Sequence, residues 1–458
     1  MLFPNTLPFD PAAPAEALAQ LPAAPAVFAL RGQTGEPYLN HTADLRRRVT
    51  RLLTPAPAQS KRLALAGLVR HIEWAPTASG FSAQLLLYRA SIEAFGARAT
   101  QRLHLRPASF LRMGMRNRFP RAWVTTSLSL SAAADLFGPF PSRNAAERYA
   151  EAALDLHLLR RCFQDLDPDP EFPGCIYSEM KKCLAPCYGG CSDERYSEEA
   201  SAVHAFFRTR GASLLATLSQ ARNAASEALD FEAAAALHTR HSKAEAVAAL
   251  APELSGALAA QHGVLVQPAV TPDTVDLYLL QNGTFTGPAP FSVLGMRLPN
   301  EQSGSSSLFA HPAAMAAVPL REPPPPEPQQ QREMLGEQSR VPQVSHLRPG
   351  QENPSDPPRP QTLSAGSDTT TTPDDRLQTA ITSLTASLQP PTRQQLCDHQ
   401  SLLARWYFRP QGKREGELIL TGPDSNPARK QDPLKPLLRA CARVYRAHVE
   451  KTAPSTNS

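Results

Sequence analysis

Long apolar runs are missing from this 458-residue chain. No stretch reaches the ~18 consecutive apolar residues of a membrane-spanning helix, so a helical membrane protein is excluded. The N-terminus, MLFPNTLPFDPAAPAEAL, has no basic region followed by a continuous apolar one. No secretory leader is expected, and the expected compartment is the cytoplasm. Cysteine is sparse: seven in so long a chain cannot form a disulfide scaffold. Charged residues make up only 19%, too few for a wholly disordered chain, while apolar residues at 42% suffice for real cores. The length itself suggests roughly two to four domains.

Proline is abundant instead, with 46 residues unevenly placed. Residues 297–375 carry REPPPPEPQQ, SDPPRP and SDTTTTPDD and few aromatic or β-branched residues, which predicts a disordered linker. Charge is uneven too. Residues 1–150 hold 18 Lys and Arg against 8 Asp and Glu, although the whole chain carries only +5. A basic N-terminal region fits either a polyanionic partner or a solvated basic face.

Periodicity supplies the elements. Ala26–Leu30 and Tyr38-Leu39 read as strands around a turn at 33–35. Asp44 caps a helix in which Leu45, Val49, Leu52 and Leu53 share one face and the arginines take the other. Ala83–Phe95 reads as a helix, Ala122–Leu128 as a strand, and Ser142 or Asn144 starts a helix running to Leu159. Residues 196–250 are Ala- and Glu-rich with a break at Leu229-Asp230, which predicts a helical hairpin. Val264–Val293 reads as two or three strands with Asn282-Gly283 as a hairpin turn. Three amphipathic stretches between 376 and 450 predict a small C-terminal helical unit. Five of the seven cysteines lie between Cys162 and Cys191. In a reducing compartment such a cluster points to metal before disulfide.

The ordered pieces LPAAPAVFALRGQTGEPYLNHTADLRRRV, IEWAPTASGFSAQLLLY, FPRAWVTTS and LFGPFPS resemble a GIY-YIG endonuclease domain of the kind found in the UvrC excinuclease family. The resemblance covers residues 20–160. It implies cleavage of a phosphodiester with one divalent metal, Mg²⁺ or Mn²⁺: a tyrosine activates water, an arginine stabilises the developing charge and a glutamate holds the metal. Carried over residue by residue, Tyr38 and Arg48 retain the family's catalytic side chains. Phe28 replaces the first tyrosine, Asn40 the motif glycine, His41 the lysine, Tyr88 the metal-binding glutamate and Thr100 an asparagine. Glu93 lies about 140° around the helix from Tyr88 and cannot substitute for it. Arg46, Arg47 and Arg51 are candidate phosphate contacts.

The resemblance continues past that domain. Cys162, Cys175, Cys183 and Cys187, at the spacing C-x12-C-x7-C-x3-C within residues 161–195, resemble the family's Cys-rich segment. That implies a [4Fe–4S] cluster, with zinc or free thiols as alternatives and Cys191 as a fifth candidate ligand. LDFEAAAALHTRHSKAEAV resembles the UVR motif, whose hairpin docks the excinuclease protein UvrB. Leu229, Phe231, Ala234 and Leu237 would form its apolar seam, with Glu232 at the edge. His238-Thr239 stands where the family has Arg-Asp. No RNase H-like second nuclease is matched, and the strands at 262–296 are too few for one. The expected fold is therefore α+β: a GIY-YIG-like domain, a Cys-rich metal module, a helical hairpin, the linker and the C-terminal helices. The expected function is a truncated UvrC-like protein of nucleotide excision repair that binds DNA and UvrB, with a degenerate cleavage site. The alternatives are a catalytically inactive adaptor and a structure-specific endonuclease outside excision repair.

Overall fold

The computed structural model describes residues 2–54, 65–296, 372–421 and 434–452. The Pro-rich stretch at 297–371 lies outside them. In chain order the elements begin with β1 (Asn5–Pro8), α1 (Pro14–Gln20), β2 (Ala26–Gly32), β3 (Tyr38–Thr42), α2 (Leu45–Leu53), β4 (Val69–Pro76), α3 (Gly80–Phe95) and α4 (Ala99–Leu103). There follow β5 (Ser109–Met113), β6 (Ala122–Thr125), β7 (Leu136–Phe140), α5 (Arg143–Leu154), α6 (Ile176–Glu179), α7 (Asp193–Arg208), α8 (Ala212–Glu227) and α9 (Phe231–Ala248). The last are β8 (Gly263–Pro268), β9 (Thr274–Gln281), β10 (Thr284–Ser292), α10 (Pro373–Ala386), α11 (Arg393–Tyr407), β11 (Glu417–Leu420) and α12 (Leu434–Thr452). The architecture is mixed α+β with three small sheets.

The first sheet has the order β1-β4-β2-β3, with every neighbouring pair antiparallel. Its central strand β2 is apolar from Ala26 to Leu30 because both of its faces are covered. Successive side chains point to opposite faces. Ala26, Phe28 and Leu30 therefore meet Leu45, Val49, Leu52 and Leu53 of α2, while Val27 and Ala29 meet Ala83, Leu87 and Ala90 of α3. Both helices start on side-chain caps: Asp44 accepts from the Arg47 N–H and Ser79 from the Ser82 N–H.

The second sheet, β6-β5-β7, lies against α5 and α7. Ser142 caps α5, as expected, but the helix stops at Leu154 rather than Leu159. The third sheet runs β10-β9-β8-β11. Its β9–β10 turn is Asn282-Gly283, both at positive φ (48° and 77°). Glycine is required there twice over, since a Cβ on Gly283 would also lie 2.6 Å from Leu258 Cδ1.

Residues 376–450 do not form the free-standing helical unit that their periodicity suggests. Val264, Val266, Val275 and Leu277 face α10 and α12, and Leu265, Tyr278 and Leu280 face α11 and α3. β11 extends the same sheet by pairing with β8. β8 (GVLVQP) is buried at every position for that reason. Amphipathic helices bury their apolar stripe against whatever face is open, and here that face belongs to strands about a hundred residues or more earlier.

Candidate functional site

Tyr38 opens the edge strand β3, and α2 brings Arg48 to it. Arg48 Nη2 donates to the Tyr38 hydroxyl at 3.5 Å, and the Asn40 amide donates to the same oxygen at 3.0 Å. Phe28 lies fully buried on the neighbouring strand with its ring centroid 6.2 Å from that of Tyr38. It packs and offers no polar atom. Arg46, Arg47 and Arg51 lie along α2. With Ala23, Asp44, Thr50 and Thr54 they line an open depression of about 510 Å³. Arg46 is held in place there by donating from Nε to the Leu21 carbonyl at 2.6 Å.

The other substituted positions turn away from solvent and toward α11. Tyr88 is 4% exposed, and its hydroxyl bonds the carboxylate of Asp398. Thr100 Oγ1 donates to Asp398 Oδ2 at 3.1 Å, and the Gln394 amide donates to Oδ1 at 3.0 Å. Asp398 is itself 2% exposed. Burial raises its pKa above the usual carboxylate value despite these three bonds. Burial and then Asp398 push the Tyr88 phenol well above its ordinary value. Beside them His399 packs edge-on against Tyr88, with centroids 5.3 Å apart, and accepts from the Phe285 N–H at 2.9 Å. Burial, with Arg89 nearby, lowers His399 to about 3, so it stays a neutral acceptor. His41 is lowered by burial and then by Arg405 and Arg409, which follow on the same C-terminal segment. Glu93 lines a different, smaller cavity of about 270 Å³ with Arg31 and Glu73.

Sequence reasoning missed Asp398, Gln394, His399, Arg405 and Arg409. A signal existed: Asp398, His399 and Gln400 interrupt the apolar pattern of a helix whose Leu396, Leu402, Leu403 and Trp406 are buried. Polar groups on a buried face must have partners.

The cysteine expectation is corrected. Among the described residues no group of three or more His, Cys, Asp or Glu side chains is arranged to hold a metal ion. All seven cysteines are free thiols. The sulfurs have protein partners: Cys183 Sγ accepts from the Ala185 N–H at 3.3 Å, and Cys162 Sγ lies 3.7 Å from Arg160 Nη1. Burial lifts Cys183 to about 11, which keeps it a thiol rather than the thiolate that metals bind. An iron–sulfur cluster, zinc, and a metal at the N-terminal site are thereby withdrawn. The loop is fixed by polar contacts instead. Glu199 accepts from the Leu158 N–H at 2.8 Å and from Arg195 at 3.2 Å, and its Oε1 lies 3.2 Å from His157 Nδ1. The His157 bond, with those others, lowers Glu199 to about 2.

The predicted hairpin is α8–α9, turning at Leu229, whose φ is +59°. Asp230 caps α9 by accepting from the Ala233 N–H at 3.0 Å. Leu229 and Phe231 are 72% and 68% exposed at the tip. Glu232 is also exposed, and Ala234 and Leu237 are half-buried in the helix pair. No helix among the described residues is long and apolar enough to cross a membrane.

Residues 109–206, which span the second sheet, α5, the Cys-rich loop and α7, match the family model described as UvrC/Cho excinuclease, middle domain. That segment is homologous to the UvrC middle domain. A longer region is similar to UvrABC system protein C of Desulforudis audaxviator, 30% identical over 242 residues, covering 52% of this chain and 38% of the relative. The homologue in Hyphomonas neptunium is 30% identical over 227 residues, 49% of this chain and 36% of its own length. That in Alcanivorax borkumensis is 27% identical over 221 residues, 48% and 36%. The chain thus spans less than two-fifths of the UvrC proteins it matches here. No solved structure matches.

Proposed function

We propose that this UvrC-like chain is a DNA-binding component of excision repair that holds the duplex and docks UvrB without cutting DNA. The observation that carries the reading is the use of Tyr88 and Thr100. In the GIY-YIG resemblance these are the metal-ligand helix position and its neighbour, yet both are engaged by Asp398 of α11. A neutral phenol is a poor ligand for a hard cation, and one already bonded to a buried carboxylate is poorer still. What remains open to solvent is a cationic surface. Arg46, Arg47 and Arg51 border the depression, with Arg48 and Tyr38 close by, and such a set grips phosphates without distinguishing sequence. The adjacent Tyr38 and Arg48 are the one feature that favours residual nuclease chemistry.

UvrB is the proposed protein partner, through the α8–α9 tip. Two exposed large apolar side chains beside an exposed glutamate form a small, specific docking face. Phe231→Ala is expected to weaken capture of purified UvrB roughly tenfold, and Leu229→Ala by a similar factor, as measured by surface-immobilised titration. Because both side chains are exposed, folding should be unaffected. Unchanged capture by the double variant would remove the hairpin from the account.

A further inference from the structure

We propose that the outer face of the β5–β6 ribbon, together with Phe163, is a binding site for an unpaired nucleic-acid segment. This deepens the reading of the chain as DNA-binding and rests on it. The surface is separate from the α2 arginines. In the β5–β6 register Arg112 stands opposite Trp123. The intervening positions Leu111, Met113, Ala122 and Val124 turn inward to the core shared with α5 and α7. Alternation therefore sends Arg112, Arg121 and Trp123 to the other face. There they form a ladder: Arg112 lies 5.3 Å from the Trp123 ring centroid, Arg121 lies 4.8 Å from the same ring, and Arg121 also lies 4.6 Å from the ring of Phe163. Phe163, delivered by the loop just after Cys162, is 72% exposed.

Two further observations point outward from this ladder. Arg112 Nε and Arg121 Nη1 are buried and have no hydrogen-bond partner, so each leaves a donor of a charged group unused. Nearby, at the ribbon's tip, Arg116 and Arg118 are exposed. Arg118 is paired with Asp193, but among the described residues Arg112, Arg116 and Arg121 form no ion pair. An apolar partner would waste the guanidinium groups. An acidic peptide would use them but gain nothing from the ring faces. A single strand uses both, stacking bases on aromatic rings while its phosphates take the arginine donors. In a duplex the bases are already stacked, so the ladder selects unpaired nucleotides.

The test is fluorescence anisotropy of the full chain with a labelled oligothymidylate of about twelve nucleotides, beside a labelled duplex. Phe163→Ala is expected to lower affinity for the strand roughly tenfold, Phe163→Trp to retain it, and neither to change duplex affinity. Arg112→Gln with Arg121→Gln should flatten the dependence of log affinity on log salt by about one. Equal affinity of the native chain and Phe163→Ala for the strand overturns the proposal. So does failure of the native chain to bind the strand, or its displacement by polyglutamate as readily as by unlabelled strand. Strand binding that follows Phe163 in a chain that binds no duplex would leave this site standing and overturn the wider duplex reading.

Discussion

Replacing Arg46, Arg47 and Arg51 together by Gln lowers affinity for duplex DNA roughly a hundredfold at moderate salt. The size follows from counterion release: each phosphate neutralised adds about 0.9 to the slope of log affinity against log salt, so three contacts near 0.1 M are worth between two and three decades. All three side chains lie on α2 outside its buried face, which is made by Leu45, Val49, Leu52 and Leu53. The helix therefore keeps its core contacts and its Asp44 cap in the variant. The measurement is a salt titration of duplex affinity. The variant should lose both affinity and slope, uniformly across duplex sequences, because phosphate contacts carry no base information. A variant with unchanged slope would mean that these arginines are an ordinary solvated helix face.

The second large effect concerns the seam between α3 and α11. Asp398→Ala removes the acceptor shared by Tyr88, Thr100 and Gln394. Buried donors left unsatisfied cost about 1–3 kcal/mol each, tempered here because Gln394 also donates to Thr100 Oγ1 at 3.1 Å. A loss of roughly 2–4 kcal/mol in chemical denaturation is expected. Asp398→Asn should behave differently. The native carboxyl is raised in pKa, chiefly by burial, so desolvation of its charge outweighs its hydrogen bonds. A neutral isostere avoids that cost and should fold nearly as stably at neutral pH. The pH dependence has a definite sign. A carboxyl raised in the folded state binds its proton more tightly there, so the native chain gains stability from this group as pH falls through the raised value toward the unfolded one. The Asn variant lacks that gain. If Ala and Asn were equally tolerated, the seam would contribute nothing.

Local readings from sequence fared well where local physics decides. The Asp44 and Ser142 caps, the strand pair around Phe28 and Tyr38, the break at Leu229-Asp230 and the Asn282-Gly283 turn are all in the structure. Each rests on side chains within a few residues of the backbone they govern. The arrangement around Tyr88 was not legible. Its partners Asp398 and His399 lie some three hundred residues away, beyond a stretch with no periodic pattern, and no spacing rule reaches that far. The same limit explains the C-terminal helices, whose apolar stripes predict burial but not the sheet that receives them. The cysteines failed for another reason. Spacing states which thiols are near in sequence, whereas a metal site needs convergent, ionisable donors, and the loop turns its sulfurs to backbone and guanidinium N–H groups.

The central claim, that DNA is held but not cut, is tested most directly on a lesion-bearing duplex preloaded with UvrB. The native chain and Arg48→Ala are added in Mg²⁺ or Mn²⁺ buffer, with binding and strand scission read from the same samples. The account predicts a retained complex and no incision above the protein-free control for either chain. Incision by the native chain that disappears in Arg48→Ala would contradict it.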